Sequence, residues 1–514
     1  MFLKSLRLVS LILAIGLIFV LVPAAGASEP AIVNLDILTV NDFHGALTAS
    51  DRNPGAAVLA AYLQGQRAKN PAGTLLLSAG DMFQGTPDSN LLHGKTVVEV
   101  MNAVGFDAMA LGNHEFDWGL AVLKERQAQA AFPMLAANIV DKASGRPADF
   151  VQPYIIFEKL GVKIAVVGLI TPDTAVTTNP RYVGGLGFAD PVAVLTGLIP
   201  KLKGQGADII VVLGHLASYP GAEPSGEAAA LTAVSGADAI ISGHSHLLVA
   251  GKVAGVPVVQ ADYNGRAVGK ISLVYSRQER RLLASTVTAT KLGPGGPADL
   301  RAAAIVAQAQ REVAPLKREV LGRTANGLAH DRYQLSPLGQ WVADVMLEAS
   351  GADIAFENGG GLRASLPAGT VTMGDLYTVM PFDNTLQVVS MTGTQVRAAL
   401  EHGLGNEKFG RLQFAGLKVA YDVSRPEGRR VATVLLADGS SLEPDTVYRV
   451  AVNDFMAAGG DDYTMIKAAA AVADTYRQLR DVLAEAIRKA GVIRFGGDDR
   501  LRPVSGLPSG LMAA

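Results

Sequence analysis

Five short clusters in the chain combine Asp, His, Asn and Glu at spacings that could hold metal ions. They are Asn41-Asp42-Phe43-His44-Gly45, Gly80-Asp81-Met82-Phe83-Gln84-Gly85, Gly112-Asn113-His114-Glu115-Phe116-Asp117, Leu213-Gly214-His215 and Gly243-His244-Ser245-His246. Carboxylate and amide oxygens with imidazole nitrogens suit a two-metal centre. Such a centre clamps the attacking and leaving oxygens of an in-line displacement when its ions sit about 3.5–4 Å apart, and one bridging carboxylate sets that distance. Taken singly, each cluster reads as ordinary structure: Gly-Asp is a common turn, a single Gly-His says little, and Asp117 would cap a following helix. Jointly the balance reverses, because five of the eight histidines fall inside these clusters. His93, His330 and His402 lie outside them and read as surface or satisfied core residues.

Each cluster follows a short apolar run. Asp36–Val40, Thr74–Ser78, Ala108–Leu111, Lys163–Ile170, Asp208–Leu213, Ala239–Ser242 and Val256–Gln260 read as buried strands, alternating with amphipathic stretches that read as helices. That alternation predicts an α/β domain to about Tyr275, and the carboxyl ends of strands are where such sheets assemble sites. Leu292-Gly293-Pro294-Gly295-Gly296-Pro297 breaks the pattern. Ala298 to about Lys317 then reads as an Ala-rich connector helix. Strands such as Leu417–Asp422, Arg430–Leu436 and Tyr448–Val452 mark a second α/β region from Leu321 to about Val504. The expected divisions are 1–27, 28–291, 292–320 for the linker and connector helix, 321–505, and a tail over 506–514.

Of 514 residues, 49% are hydrophobic and 18% charged, the profile of a folded chain with more than one domain. A formal net charge of −2 offers no basic face for a nucleic-acid polymer. Lys4 and Arg7, the apolar run Leu8–Val22 and the small residues Ala25-Gly26-Ala27 predict a cleaved signal peptide over residues 1–27. That run is short for a membrane span of about 20 residues. A periplasmic or secreted chain, with no membrane attachment after cleavage, is expected. The lack of cysteine excludes disulfides, thiolate ligands, a Cys nucleophile and an acylated lipoprotein cysteine.

In this order, Asp-x-His, Gly-Asp-x-x-Gln-Gly-Thr-Pro, Gly-Asn-His-Glu-Phe-Asp, Gly-His and Gly-His-x-His resemble the calcineurin-like metallophosphoesterases, and among them the periplasmic 5'-nucleotidase/UDP-sugar hydrolase family. The resemblance runs from Ala31 to about Val504. It implies an N-terminal four-layer α/β/β/α metallophosphoesterase domain, a linker helix and a C-terminal α/β 5'-nucleotidase domain, with the site between them. It also implies two divalent ions, drawn from Mn, Zn or Mg. Asp42, His44, Asp81 and His246 would hold one; Asp81, Asn113, His215 and His244 would hold the other, with Asp81 bridging. His246 stands where some members carry Gln. By the same resemblance His114 is no ligand but meets transition-state charge, oriented by Asp117, while an activated water attacks.

Asn358-Gly359-Gly360-Gly361-Leu362-Arg363 is a glycine-rich turn ending in a cation, able to face an anion. It resembles the family's Asn-Gly-Gly-Gly-Ile-Arg motif, which implies substrate contacts from Asn358 and Arg363, and from Arg332 upstream. The segment Asn453 to Asp461 resembles the one bearing a base-stacking Phe and a ribose-binding Asp, which implies those roles for Phe455 and Asp461. One departure stands out. The family's second stacking Phe falls within Gly410-Arg411-Leu412-Gln413-Phe414, where Arg411 takes its place or Phe409 or Phe414 compensates.

The resemblance implies an exported dinuclear-metal phosphohydrolase that takes phosphate from small nucleotides, UDP-sugars among the candidates. A 2',3'-cyclic-nucleotide phosphodiesterase/3'-nucleotidase and a thiosulfohydrolase share this architecture, and the former typically has Asn where Asp117 stands. From another class, a non-catalytic surface nucleotide-binding protein would be expected to have eroded its ligands first. All seven are chemically competent.

Overall fold

The computed structural model describes residues 31–405 and 407–504. The signal-peptide segment and the tail expected over 506–514 lie outside the described residues.

The short apolar runs form strands buried on both faces, as expected of sheets sandwiched between layers. Two six-stranded sheets stack on each other. The first runs Arg281–Lys291, Ala267–Ser276, Ile32–Val40, Thr74–Ser78, Ala108–Ala110, Met134–Leu135. The second runs Leu248–Val253, Val256–Ala261, Ala239–Ile241, Ile209–His215, Val162–Ile170, Tyr154–Lys159. Leu35, Ile37, Leu75 and Leu77 of the first sheet share one buried core with Val166, Val211, Leu213 and Ile241 of the second. Fully burying each such side chain contributes about 1.5–3 kcal/mol. Helices Gly55–Arg67 and Lys95–Val104 cover the outer face of the first sheet through Leu59, Leu63, Val97 and Met101. Helix Pro191–Gly204 covers the other through Leu195, Ile199 and Leu202. The result is the four-layer α/β/β/α order that the family resemblance implies.

Two details differ from the sequence reading. The hairpin Ala267–Ser276/Arg281–Lys291 extends the first sheet past Tyr275. Its outer strand alternates Thr and Ser with apolar residues and stays half-exposed, so it lacks the solid apolar run by which the other strands are recognised. The connector helix spans Leu300–Lys317, with Asp299 accepting from Ala302 N at 2.7 Å as its cap. It is no free spacer: Ala302 and Val306 join the outer core of the first sheet.

Beyond it, a five-stranded sheet runs Gln413–Ala415, Ile354–Glu357, Val447–Asn453, Thr385–Thr392, Ala470–Gln478. Helix Pro337–Ser350 packs on this sheet, capped by the Ser336 hydroxyl, which accepts from Gly339 N at 3.0 Å. Among the described residues no helix is long and apolar enough to cross a membrane.

Candidate metal centre and cleft

All five motif clusters sit where strands end. Asp42 and His44 follow Ile32–Val40, and Asp81 follows Thr74–Ser78. Asn113, His114 and Asp117 lie on and just after the short 3-10 turn Asn113–Phe116 behind Ala108–Ala110. His215 ends its strand, and His244 and His246 follow Ala239–Ile241. Five of these residues, Asp42, His44, Asp81, His244 and His246, hold left-handed backbone at φ values of 48°, 50°, 53°, 75° and 57°. Non-glycine residues adopt that conformation at a cost, and such strain concentrates at functional sites. Gly112 keeps the turns together: a Cβ there would stand 2.2 Å from Asp81 Oδ1.

The side chains gather into two groups, Asp42 with His44 and His246, and Asp81 with His215 and His244. In the first, His44 Nε2 and His246 Nε2 face each other at 2.9 Å, and His246 Nε2 lies 3.4 Å from Asp42 Oδ1. In the second, His215 Nε2 lies 3.1 Å from Asp81 Oδ2 and 3.2 Å from Asn113 Oδ1, which is also 3.1 Å from His244 Nδ1. The outer nitrogens fix the tautomers. His44 Nδ1 donates to Gln84 O at 2.9 Å and His215 Nδ1 to Ala79 O at 2.8 Å. Both Nε2 atoms therefore turn inward as lone pairs unless they are also protonated.

Lone pairs and anionic oxygens converging on one point repel unless a positive charge sits among them. Burial and then His246 pull His44 down to about 3, so its inward nitrogen keeps its lone pair. Burial and then His215 pull His244 down to about 4. His215 goes the other way, to about 10: burial opposes a charge there, and the Asp81 carboxylate outweighs it. Asp81 is itself held well below the usual carboxylate range, since His215 and His114 overcome its burial. The surroundings of His215 Nε2 thus demand positive charge, which a divalent ion supplies. The donor set fits two such ions.

Glu115, given no role by its motif, is the pin beneath this arrangement. Its carboxylate accepts from Asp81 N and Met82 N, both at 2.8 Å, and from Gly112 N at 2.7 Å. His114 stands at the edge of the first group, its ring 5.4 Å from that of His44. Its Nδ1 lies 2.7 Å from Asp117 Oδ2, and its backbone N donates to Asp81 Oδ1 at 2.9 Å. Burial opposes its charge, but Asp117 and Asp81 outweigh that and raise its proton affinity above the ordinary imidazole range. Thr178 donates to the other Asp117 oxygen at 3.0 Å, a partner that the sequence reading missed.

The two domains enclose a cleft of 990 Å³ over these groups. Arg332, Asn358, Arg363, Phe455 and Asp461 all line it, opposite Asp81, Asn113 and His114. Gly359 lets the glycine turn close on its neighbours, since a Cβ would meet Arg332 O at 2.6 Å and Arg411 O at 2.7 Å. Burial and then Arg332 lower Arg363 only to about 10, which leaves it cationic at neutral pH. Asn358 Nδ2 donates to Asp461 Oδ2 at 2.7 Å. His402, read as surface or core, lies under the same residue with Nε2 2.8 Å from Asp461 O. Phe382 of the second domain stacks on the His114 ring at 6.0 Å.

The aromatic departure resolves in space. Phe409 lines the cleft with Phe455. Phe414 pairs with Phe356 across the sheet and is buried in the core. Arg411 instead donates from Nε to Tyr333 O at 3.0 Å, and Tyr333 itself lines the cleft.

Fold and site together define a metallophosphoesterase: residues 35–248 match the calcineurin-like phosphoesterase family, and residues 313–468 the 5'-nucleotidase C-terminal domain. The chain is 31% identical to a 5'-nucleotidase of Vibrio cholerae over 84% of its own length and 86% of the relative's. It is 31% identical to Endonuclease YhcR of Bacillus subtilis over 84% of its length, which spans 38% of that longer protein. A solved 5'-nucleotidase precursor from Thermus thermophilus superposes with a TM-score of 0.79 at 31% identity, covering 92% of this chain and all (100%) of the other. The chain belongs to the 5'-nucleotidase family, and it is a metal-dependent phosphoesterase.

Proposed function

We propose that this chain is an exported 5'-nucleotidase that removes phosphate from nucleoside monophosphates in the cleft between its domains. The juxtaposition that carries the reading is the arginine pair Arg332 and Arg363 facing Asp81, Asn113 and His114 across one cavity. In this reading Asp42, His44, Asp81 and His246 hold one divalent ion, and Asp81, Asn113, His215 and His244 hold the other. The bridging role of Asp81 draws support from its charge acting on His44 of the first group and on His215 and His244 of the second. Bound there, Mn, Zn or Mg ions supply Lewis acidity toward phosphoryl oxygens and make water a competent nucleophile at neutral pH.

The chain's own groups do the rest. Arg363 and Arg332 bind the phosphate, as planar guanidinium donors suit its oxygens. Phe455 and Phe409 offer faces to the base, and Asp461, held by Asn358, accepts from ribose hydroxyls. His114 keeps Nδ1–H on Asp117 and directs Nε2–H at the phosphoryl group, where negative charge builds in the transition state. The signal segment over 1–27 and the division at 292–320 belong to the same proposal. Asp81→Ala tests it: metal-dependent phosphate release from AMP should nearly vanish, while the exposed His93→Ala control stays near native. Substantial turnover in Asp81→Ala with two ions still bound would remove the bridging assignment.

A further inference from the structure

The segment Thr171–Val183 begins and ends in the first domain but touches the second on the way, and no motif singled it out. It starts on the centre, where Thr171 N donates to His215 O at 2.9 Å. Thr177 O then accepts from Asn113 Nδ2 at 3.4 Å, and the buried Thr178 hydroxyl donates to Asp117 Oδ1 at 3.0 Å. The very next side chain turns to the other domain: Asn179 Nδ2 donates to Asp454 Oδ2 at 3.0 Å. Asn179 Oδ1 meanwhile accepts from Arg181 N at 3.1 Å, so both ends of the amide are committed. Arg181 Nη1 reaches the same Asp454 oxygen at 3.2 Å. Asp454 in turn opens the short helix Asp454–Ala457 that carries Phe455, and its Oδ1 accepts from Thr385 N at 3.2 Å.

A carboxylate has two oxygens, and in Asp117 one accepts from His114 Nδ1 while the other accepts from Thr178. Without the hydroxyl, the carboxylate could rotate about its last bond, and the imidazole it orients would follow. Thr178 is in turn fixed by its neighbour's grip on the opposite domain. We infer that Thr178 is a positioning residue for the His114–Asp117 pair, and that the Asn179–Asp454 contact makes its alignment depend on the seating of the second domain. This rests on reading His114 and Asp117 as the pair that meets the phosphoryl group.

The test is steady-state kinetics on AMP and on p-nitrophenyl phosphate, with metal content measured in parallel. Thr178→Val keeps the shape and removes the donor; kcat should fall roughly tenfold on both substrates, the scale of one hydrogen bond to a charged group, with KM and metal content unchanged. Thr178→Ser should restore most of the loss. Asp454→Ala should lower kcat on both substrates, and Asp454→Asn, which keeps an acceptor oxygen for Asn179, should spare most of it. The double variant Thr178→Val/Asp454→Ala should be no slower than its slower single variant, because both break one chain of contacts. Multiplying losses, or a change confined to KM, would overturn the coupling. Asp117→Asn separates the two levels. If it leaves kcat intact, the reading of the pair falls; if it lowers kcat while Thr178→Val does not, the pair stands and the inference falls.

Discussion

His44 Nε2 and His246 Nε2 face each other at 2.9 Å, although 202 residues separate them in sequence. His44 holds its one proton on the Gln84 carbonyl at 2.9 Å, so its inward nitrogen presents a lone pair. Two imidazoles meeting in this way beside the Asp42 carboxylate have the donor chemistry of a cation's ligands, and the proposed function assigns them that role. Removing His246 should therefore cost the metal and leave the fold. For His246→Ala we expect about one ion lost per chain, measured by elemental analysis, with Asp81, Asn113, His215 and His244 still occupied. Retention of both ions would take His246 out of the ligand set.

His114→Asn should keep both ions and lose turnover. Its imidazole touches the first group edge-on and is held by Asp117 at 2.7 Å. Losing one such donor to a developing oxyanion lowers kcat by about 10²–10³. A variant that loses metal in step with activity would make His114 a ligand instead.

The proposed base-stacking role of Phe455 and Phe409 predicts a split between substrates with and without a base. Phe455→Ala and Phe409→Ala should each raise KM for AMP, within the stacking scale of about 1–3 kcal/mol, and leave p-nitrophenyl phosphate unaffected. Arg411→Phe should give no gain, because Arg411 points to the Tyr333 carbonyl and not into the cleft. Equal losses on both substrates would assign the two rings to the fold.

Glu357 gives the second domain a pH-dependent stability. It is fully buried beneath the glycine turn, with Oε2 accepting from Asn453 Nδ2 at 2.9 Å and Oε1 without a partner. Burial pushes it up to about 8, outweighing the Asn453 bond. An acid raised on folding contributes stability that is full below its unfolded value near 4.5, declines as pH rises, and is lost by about 8. Glu357→Gln, a neutral isostere, should match the native chain at pH 5 and melt higher at pH 8. The Tm gain should follow about 2–4 °C per kcal/mol. A difference that does not change with pH would mean that Glu357 is ionised in the folded chain.

How much of this was legible in sequence depended on distance along the chain. The gathering of the candidate ligands was, because each group of donors follows directly on an apolar strand that sheet formation carries to a common edge. The Thr178 and Asn179 contacts were not. Val176-Thr177-Thr178-Asn179-Pro180 belongs to none of the motifs, and the partners Asp117 and Asp454 of Thr178 and Asn179 lie 61 and 275 residues away. Phe409 and Phe414 could not be told apart by type; only the pairing of Phe414 with Phe356 sends that ring to the core. Glu115 sat in plain view within its motif, but its task is to bind three backbone amides that come from two different loops.

The proposed function requires that two groups of side chains, Asp42/His44/His246 and Asp81/His215/His244 with Asn113, together form one two-ion centre. Titrating the chelator-stripped chain with Mn²⁺, while following bound metal and AMP turnover together, tests it most directly. Turnover should stay near zero in the stripped chain, climb as ions bind and level off at two per chain. Full turnover at one bound ion, or in the stripped chain, would contradict it.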